Sequence, residues 1–185
     1  YVRDNYPQIT QSVTTNGYIS KRILENPKFM DIFMKSMDEI DVSLDFVDKE
    51  KHGDFRGQPK AYDWAIQTLK LLKGTDKKVT IVFVGFEDTM KKENIDDLFS
   101  IAKEYNTLLR LNIYRPVSEK EEINERFKLS YKTLNDSLKY INEKYKMVAG
   151  MLVNATPVAA SKKGIIITLP LESSISRIEK EYDNS

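Results

Sequence analysis

The stretch EIDVSLDFVDKEKHGDFRG, residues Glu39–Gly57, carries the densest pattern in this 185-residue sequence. Its first half alternates between polar residues and the apolar residues Ile40, Val42, Leu44 and Phe46. A period of two predicts a β-strand with two differently solvated faces. A charged loop is expected after the strand, followed by a helix that starts near Pro59. Polar side chains ahead of such a loop often contact a ligand, although an antiparallel strand with one solvated face explains the alternation equally well.

Three other segments predict strands, namely Gln8–Thr15, Lys78–Gly85 and Thr107–Tyr114. The first and last alternate, whereas Lys78–Gly85 is almost entirely apolar, which is typical of a parallel strand buried on both faces. Amphipathic helices are predicted between the strands, over 20–26, from Pro27, over 59–73 and over 94–102. The β-α-β-α order predicts a parallel sheet with right-handed crossovers.

The polar positions on these strands favour a barrel. An open sheet enclosed between two helix layers has little use for polar residues in its interior, and this one would hold Asp41, Ser43, Asp45, Arg110 and Asn112. A barrel wall whose inner face holds a polar ligand does use them. The predicted fold class is therefore α/β, a partial (β/α) barrel.

The β-α alternation ends after Arg115-Pro116, and a charged segment follows. We assign residues 1–128 to the partial barrel and residues 129–185 to a small C-terminal extension. The extension is expected to hold an amphipathic helix over 130–145, an irregular segment over 148–163 and a short strand over 164–169. The segment YVRDNYP is typical of the end of a helix, so the sequence is expected to start partway through a domain.

Composition excludes several classes of function. The 29 Lys and Arg balance 28 Asp and Glu, so a net charge of +1 gives no electrostatic case for nucleic acid or an acidic membrane surface. No apolar run reaches the roughly 20 residues of a membrane span and no signal peptide is visible, so a cytoplasmic location is expected. The absence of cysteine excludes disulfides and thiolate ligands from these residues. There is no phosphate-binding glycine loop, and His52 is the single histidine.

Three short motifs follow one another in order: TTNG at Thr14–Gly17, VSLD at Val42–Asp45 and HGDFRG at His52–Gly57. In this order and spacing they resemble successive landmarks of the radical S-adenosylmethionine (radical SAM) superfamily. The resemblance continues through Val79–Val84 to RLNIYRPVS at Arg110–Ser118, and covers roughly residues 8 to 118.

The resemblance implies a partial (β/α)6 barrel, of which the four strands would be the third to sixth. It also implies the activity: reductive cleavage of S-adenosylmethionine at a [4Fe-4S] cluster gives a 5′-deoxyadenosyl radical that abstracts hydrogen from a substrate. The cofactor does the difficult chemistry, and the protein supplies orientation and a closed cavity. Cluster ligands are then expected upstream of Tyr1. The expected partners are a small-molecule or peptide substrate and an electron donor.

The resemblance also implies a set of cofactor-binding residues: Thr14, Asn16, Ser43, Asp45, Arg56, Thr80, Arg110 and Asn112. The hydroxyls of Thr14 and Ser43 match positions that contact the ribose or the methionyl part, and Thr80 matches a position facing the methionyl carboxylate. Ordinary strand hydroxyls bonded to backbone are the alternative for Thr14 and Ser43. For Arg56 a structural ion pair beneath the loop is an equal alternative. Arg110 and Asn112 are expected to line the barrel or contact substrate.

The sequence departs from the family pattern in ways that leave other functions open. No C-x3-C-x2-C motif is present, and Phe46 and Ser118 replace family glycines. The stretch SKKGIIITLPLESSISRI resembles a peptide-maturing subgroup that carries an auxiliary cluster, but Ser161 and Arg177 stand about where two of its cysteines are expected. A degenerate, cluster-less barrel that binds a ligand or a partner is the first alternative, and an unrelated (β/α) barrel is the second.

Overall fold

The structure, a computed structural model, describes residues 1–114, residues 121–145 and the backbone of residues 165–168. The described helices are α1 Val2–Asn5, α2 Ile19–Glu25, α3 Pro27–Ser36, α4 Lys49–Arg56, α5 Ala61–Leu72, α6 Lys92–Tyr105, α7 Glu121–Arg126 and α8 Tyr131–Tyr145. The strands are β1 Ser12–Thr15, β2 Glu39–Ser43, β3 Lys78–Gly85, β4 Leu108–Ile113 and β5 Ile165–Thr168. The predicted irregular segment over 148–163, together with Ser118, Ser161 and Arg177, lies outside the described residues.

The strands form one parallel sheet in the order β1-β2-β3-β4-β5. This confirms the prediction that the first four strands are parallel neighbours in chain order. Each is joined to the next through at least one helix, as a parallel connection requires. Beyond the prediction, β5 adds to the free side of β4, so the sheet continues past the expected boundary at residue 128. That boundary stays a prediction.

The two faces of the sheet differ sharply in chemistry. One face packs into the hydrophobic core together with α2, α3, α5 and α6, and its residues include Ile40, Val42, Leu44, Val79, Ile81, Phe83, Leu109 and Leu111. The alternate residues point the other way, and none of them belongs to that core: Thr14, Asp41, Ser43, Thr80, Val82, Arg110 and Asn112. We call this second side the polar face. The alternation in the sequence thus separates core from polar face.

The turn after β1 is fixed against α5. Gly17 has φ +89°, and a Cβ there would lie 2.4 Å from the Ala65 backbone nitrogen, so only glycine allows this approach. The Gly17 carbonyl accepts hydrogen bonds from the Ser20 and Thr68 hydroxyls, each at 2.9 Å. The glycine of the TNG segment therefore holds β1, α2 and α5 together.

The predicted loop after β2 is a helix, which corrects the sequence interpretation. Asp48 caps α4 by accepting a hydrogen bond from the Lys51 amide at 2.9 Å, and Gly57 ends it with φ +63°. Most side chains of α4 are charged, and His52 and Gly53 are its buried residues. Because so few positions on α4 are apolar, the helical periodicity was hidden.

Within the part of the chain that the structure describes, no helix is both long and apolar enough to cross a bilayer.

Candidate functional site

The parallel register brings the predicted polar residues into rows across the polar face. Thr14, Asp41 and Thr80 are register partners on β1, β2 and β3. One step towards the carboxyl end of the strands, Ser43 and Arg110 both lie in register with Val82. Because neighbouring strands are about 4.8 Å apart, side chains of a row can contact one ligand.

Asp41 lies at the centre of the contacts on this face. Its Oδ2 forms an ion pair with Arg110, whose side chain reaches across β3 to β2. The same oxygen accepts a hydrogen bond from the Thr14 hydroxyl at 3.5 Å. The Nε of Arg110 is buried and has no hydrogen-bond partner among the described residues. The guanidinium therefore keeps a donor for another acceptor.

Three further polar groups of this face are unengaged in the described part of the chain. The hydroxyls of Ser43 and Thr80 and the amide of Asn112 form no side-chain hydrogen bond with any described residue. The exposed fraction is 8% for Ser43 and 3% for Thr80. Small buried hydroxyls and amides are useful for ligand recognition because each can donate and accept.

Asp45, by contrast, is fully buried and already paired. Its exposed fraction is 0%, and its carboxylate accepts hydrogen bonds from Arg56 Nε at 2.6 Å and from the Val84 amide at 2.9 Å. Burial raises the pKa of the Asp45 carboxyl, and the Arg56 guanidinium and the Val84 amide oppose that rise. Asp45 lies two residues beyond the end of β2, and its carboxylate is already engaged by Arg56 and Val84. Its assignment as a ligand contact stays a prediction.

Arg56 and Asn16 also make structural contacts. Arg56 ends α4, and its guanidinium holds that helix to the segment after β2 through Asp45. The side-chain oxygen of Asn16 accepts a hydrogen bond from the Tyr18 amide at 3.1 Å, within the turn before α2. Neither residue joins the polar cluster around Asp41.

His52 also holds the segment after β2, through the backbone of Asp45. Its Nδ1 accepts a hydrogen bond from the Asp45 amide at 3.3 Å, which requires that nitrogen to be unprotonated. Burial lowers the pKa of His52 to about 4, and the nearby Arg56 charge contributes. Although Nδ1 lies 3.7 Å from the Asp45 carboxylate, the two do not form an ion pair at neutral pH because the imidazole is neutral.

Sequence interpretation missed two features near the site. Asp41 was assigned to the polar side of β2 but not to the ligand set, since its reach to Arg110 crosses a whole strand. The helix predicted over 94–102 begins at Lys92, so Asn94 lies within α6. The Asn94 amide donates to the carbonyls of Thr89 and Asp45, at 3.0 and 2.9 Å.

The middle of the polar face offers hydrogen bonds and the opposite charges of Asp41 and Arg110, and Glu39 and Lys78 form a separate ion pair at its amino end. A carboxylate and a guanidinium lie beside hydroxyl and amide groups, which suits a polar, zwitterionic or sugar-bearing ligand. No group of three or more His, Cys, Asp or Glu within the described ranges could hold a metal ion. An iron–sulfur cluster liganded by cysteine could not be held by these 185 residues alone, since they contain none.

Comparison with protein-family models and with curated proteins finds no match. Among solved structures, the chain is similar to a domain described as that of a pyruvate-formate lyase-activating enzyme from Bacteroides vulgatus ATCC 8482. The TM-score is 0.49 and the identity 16%, over 73% of this chain and 81% of that one. At that level the likeness does not establish a family.

Proposed function

We propose that this chain forms part of the barrel wall of a radical SAM enzyme and that its polar face binds S-adenosylmethionine. The observation that carries the proposal is the row of Thr14, Asp41 and Thr80 beside Ser43 and Arg110, on the face of a parallel sheet that contributes nothing to the core. The ordered TNG, SLD and FRG segments support the same function.

The polarity of the sheet supports a barrel wall. Open parallel sheets are normally apolar on both faces because helices cover both. In barrels the helices lie outside, and enzyme sites form at the carboxyl end of the strands. Here Ser43 is the last residue of β2 and Asn112 is the last but one of β4, so both lie towards the carboxyl ends of their strands, while Arg110 lies near the middle of β4. A curved sheet with this face inward would enclose them.

The residues of the polar face fit the parts of S-adenosylmethionine. Its methionyl end carries an ammonium and a carboxylate, which match the Asp41 carboxylate and the Arg110 guanidinium in charge. Binding then replaces the Asp41–Arg110 ion pair with two others, Asp41 with the ligand's ammonium and Arg110 with its carboxylate. Neither side chain is left without an opposite charge. The hydroxyls of Thr14, Ser43 and Thr80 can bond the ribose or the remaining carboxylate oxygen. Asp45 and Arg56 pair with each other, so in this proposal they position the segment after β2.

The chemistry would come from a [4Fe-4S] cluster held by cysteines outside these 185 residues, which supplies the electron for cleavage of S-adenosylmethionine. The residues present here bind and orient the ligand and exclude water from it. The small-molecule or peptide substrate and the electron donor belong to the same proposal. A degenerate barrel that binds a ligand or a partner without chemistry is the second candidate.

The test is calorimetric titration of S-adenosylmethionine into the 185-residue chain. Ser43→Ala should weaken binding about fivefold, the value of one hydrogen bond. Ser100→Ala is the matched control, since it removes one exposed hydroxyl from α6. Equal affinity in both variants would contradict the proposed site. Tight binding by the chain alone, with no gain when the protein is joined to a cluster-bearing segment, would favour the degenerate barrel.

A further inference from the structure

A cavity of about 540 Å³ lies at the carboxyl edge of the sheet. Its walls come from the segment after β2, α4, the segment after β3, the start of α6 and the end of α7. The volume is within the roughly 300–1,000 Å³ of small-molecule sites. None of the cofactor-binding residues predicted from the sequence lines it, so its occupancy is independent of the proposed function.

Four phenylalanines form the apolar floor of this cavity: Phe46, Phe55, Phe86 and Phe127. The rings of Phe55 and Phe86 are stacked with centroids 5.2 Å apart, and Phe127 meets both edge-on, at 5.5 and 5.2 Å. Phe46 and Phe86 are buried, whereas Phe55 and Phe127 are half-buried. The floor is therefore a fixed aromatic surface with part of two rings open to a ligand.

The rim of the cavity is mainly acidic. Its carboxylates are Asp48, Asp54, Asp88, Glu93 and Asp97, and its cations are Lys51, Lys91 and Arg126. Lys91 is paired with Asp88 at 2.6 Å. Asp54, Glu93 and Asp97 form no ion pair with any described residue. Five carboxylates against three cations give a net negative potential, which a concave apolar site focuses.

The aromatic floor already contacts cations of the protein itself. The Arg56 guanidinium lies 5.3 Å from the centroid of the Phe55 ring, and that of Arg126 lies 5.1 Å from the Phe127 ring. The face of a phenyl ring attracts a cation through its quadrupole. The floor and the rim therefore favour the same kind of ligand, one with an apolar body and a positive charge.

We propose that this cavity binds an organic cation, an ammonium or guanidinium group carried on an apolar stem. The stem lies on Phe55 and Phe127, and the charge faces Asp54 and Asp97. Such a group can belong to a free amine or to the basic side chain of a peptide. An anion of the same shape is disfavoured because it would meet the unpaired carboxylates.

The test is titration of the chain, followed by NMR, with three probes of similar shape: 2-phenylethylammonium, neutral 2-phenylethanol and anionic 3-phenylpropionate. We expect the cation to bind at millimolar concentration or better, and at least about fivefold more tightly than the anion. No binding of the cation, or equal binding of the anion, would overturn the proposal. A blocked dipeptide, acetyl-Phe-Arg-amide, distinguishes the two sources: tighter binding than the free amine supports a peptide, and weaker binding a free amine.

Variants locate the site. The double substitution Asp54→Asn and Asp97→Asn should weaken binding of 2-phenylethylammonium about tenfold, because each removes one unpaired carboxylate. Asp31→Asn, an exposed residue of α3 outside the cavity, is the control and should change nothing. Thermal unfolding should be unchanged in all three proteins. Unaltered binding in the double variant would show that the cation binds elsewhere.

Discussion

Asp45 and Arg56 form a two-point ion pair in which the carboxylate Oδ2 accepts from Nε at 2.6 Å and from Nη2 at 2.5 Å. The pair joins the segment after β2 to the last residue of α4. Since the other carboxylate oxygen accepts from the Val84 amide, one side chain connects β2, β3 and α4. The pair adjoins both sites in the chain, because Asp45 lies two residues after Ser43 and Arg56 directly follows the cavity residue Phe55.

Removal of Asp45 should therefore destabilise the protein strongly. Asp45→Ala leaves the Arg56 charge and the Val84 amide without their acceptor, and breaking a buried pair in this way costs about 3–5 kcal/mol. Asp45→Asn should cost less, because its amide oxygen can still accept from Val84. The measurement is urea unfolding, with Asp76→Ala on the exposed surface as the control. A loss within about 0.5 kcal/mol, as for a surface change, would refute the structural role.

Gly17 and Gly57 both have positive φ, but replacement by alanine should lower the stability of the protein by different amounts. A Cβ at Gly17 meets the backbone of Trp64 and Ala65 at 2.5 and 2.4 Å, whereas one at Gly57 has nothing within 4 Å. Gly57→Ala should cost about 1–2 kcal/mol from the left-handed conformation alone. Gly17→Ala adds a backbone clash and should lower the midpoint of thermal unfolding much further. Equal shifts for the two variants would show that α5 does not press on Gly17.

The contribution of His52 to stability should fall as pH decreases from about 6.5 towards 4, while the raised pKa of Asp45 acts in the opposite direction. The folded-state pKa of His52 is about 4, against 6.5 for the free side chain. In that window the unfolded chain binds a proton that the folded chain does not, so acid favours unfolding. The full effect is on the order of 3 kcal/mol, present as stability above pH 6.5.

NMR can check this prediction directly, because the chain has one histidine and its ring-proton shifts can be followed without overlap from another imidazole. Those shifts should titrate near pH 4 in the folded protein. His52→Asn keeps an acceptor for the Asp45 amide and removes the titration. Its stability should change less than that of the original chain between pH 6.5 and 5. A folded-state titration near pH 6.5 would contradict the buried, neutral imidazole.

The sequence predicted the sheet well because its signals there are local. Alternation in β2 and β4 separates Val42 and Leu109 from Ser43 and Arg110 by period alone, and parallel order follows from the intervening helices. Helix α4 was missed since its stability comes from the Asp48 cap and from burial of His52 rather than from an apolar stripe.

The contacts of the site were harder to predict because they depend on tertiary distance. Periodicity put Asp45 beside Asp41, but the strand ends between them and the carboxylate turns to Arg56. The pairing of Asp41 with Arg110 crosses an intervening strand, which no local pattern encodes. The aromatic cavity joins Phe46 to Phe127, which lie far apart in the sequence, so no local window contains it.

The Asp41–Arg110 ion pair should contribute both to the stability of the sheet and to ligand binding. The exposed fractions of the two side chains are 16% and 25%, so the pair is only partly screened and should contribute about 1 kcal/mol to stability. Asp41→Asn, Arg110→Gln and the double variant form a thermodynamic cycle, measured by urea unfolding, that isolates this coupling. If both charges also hold the ends of a zwitterionic ligand, each single substitution should weaken S-adenosylmethionine binding by about tenfold. S-Adenosylhomocysteine, with the same zwitterionic end, should show the same losses, whereas adenosine, which lacks that end, should bind all four proteins equally. Losses for adenosine as large as those for S-adenosylmethionine would place the pair away from the methionyl end.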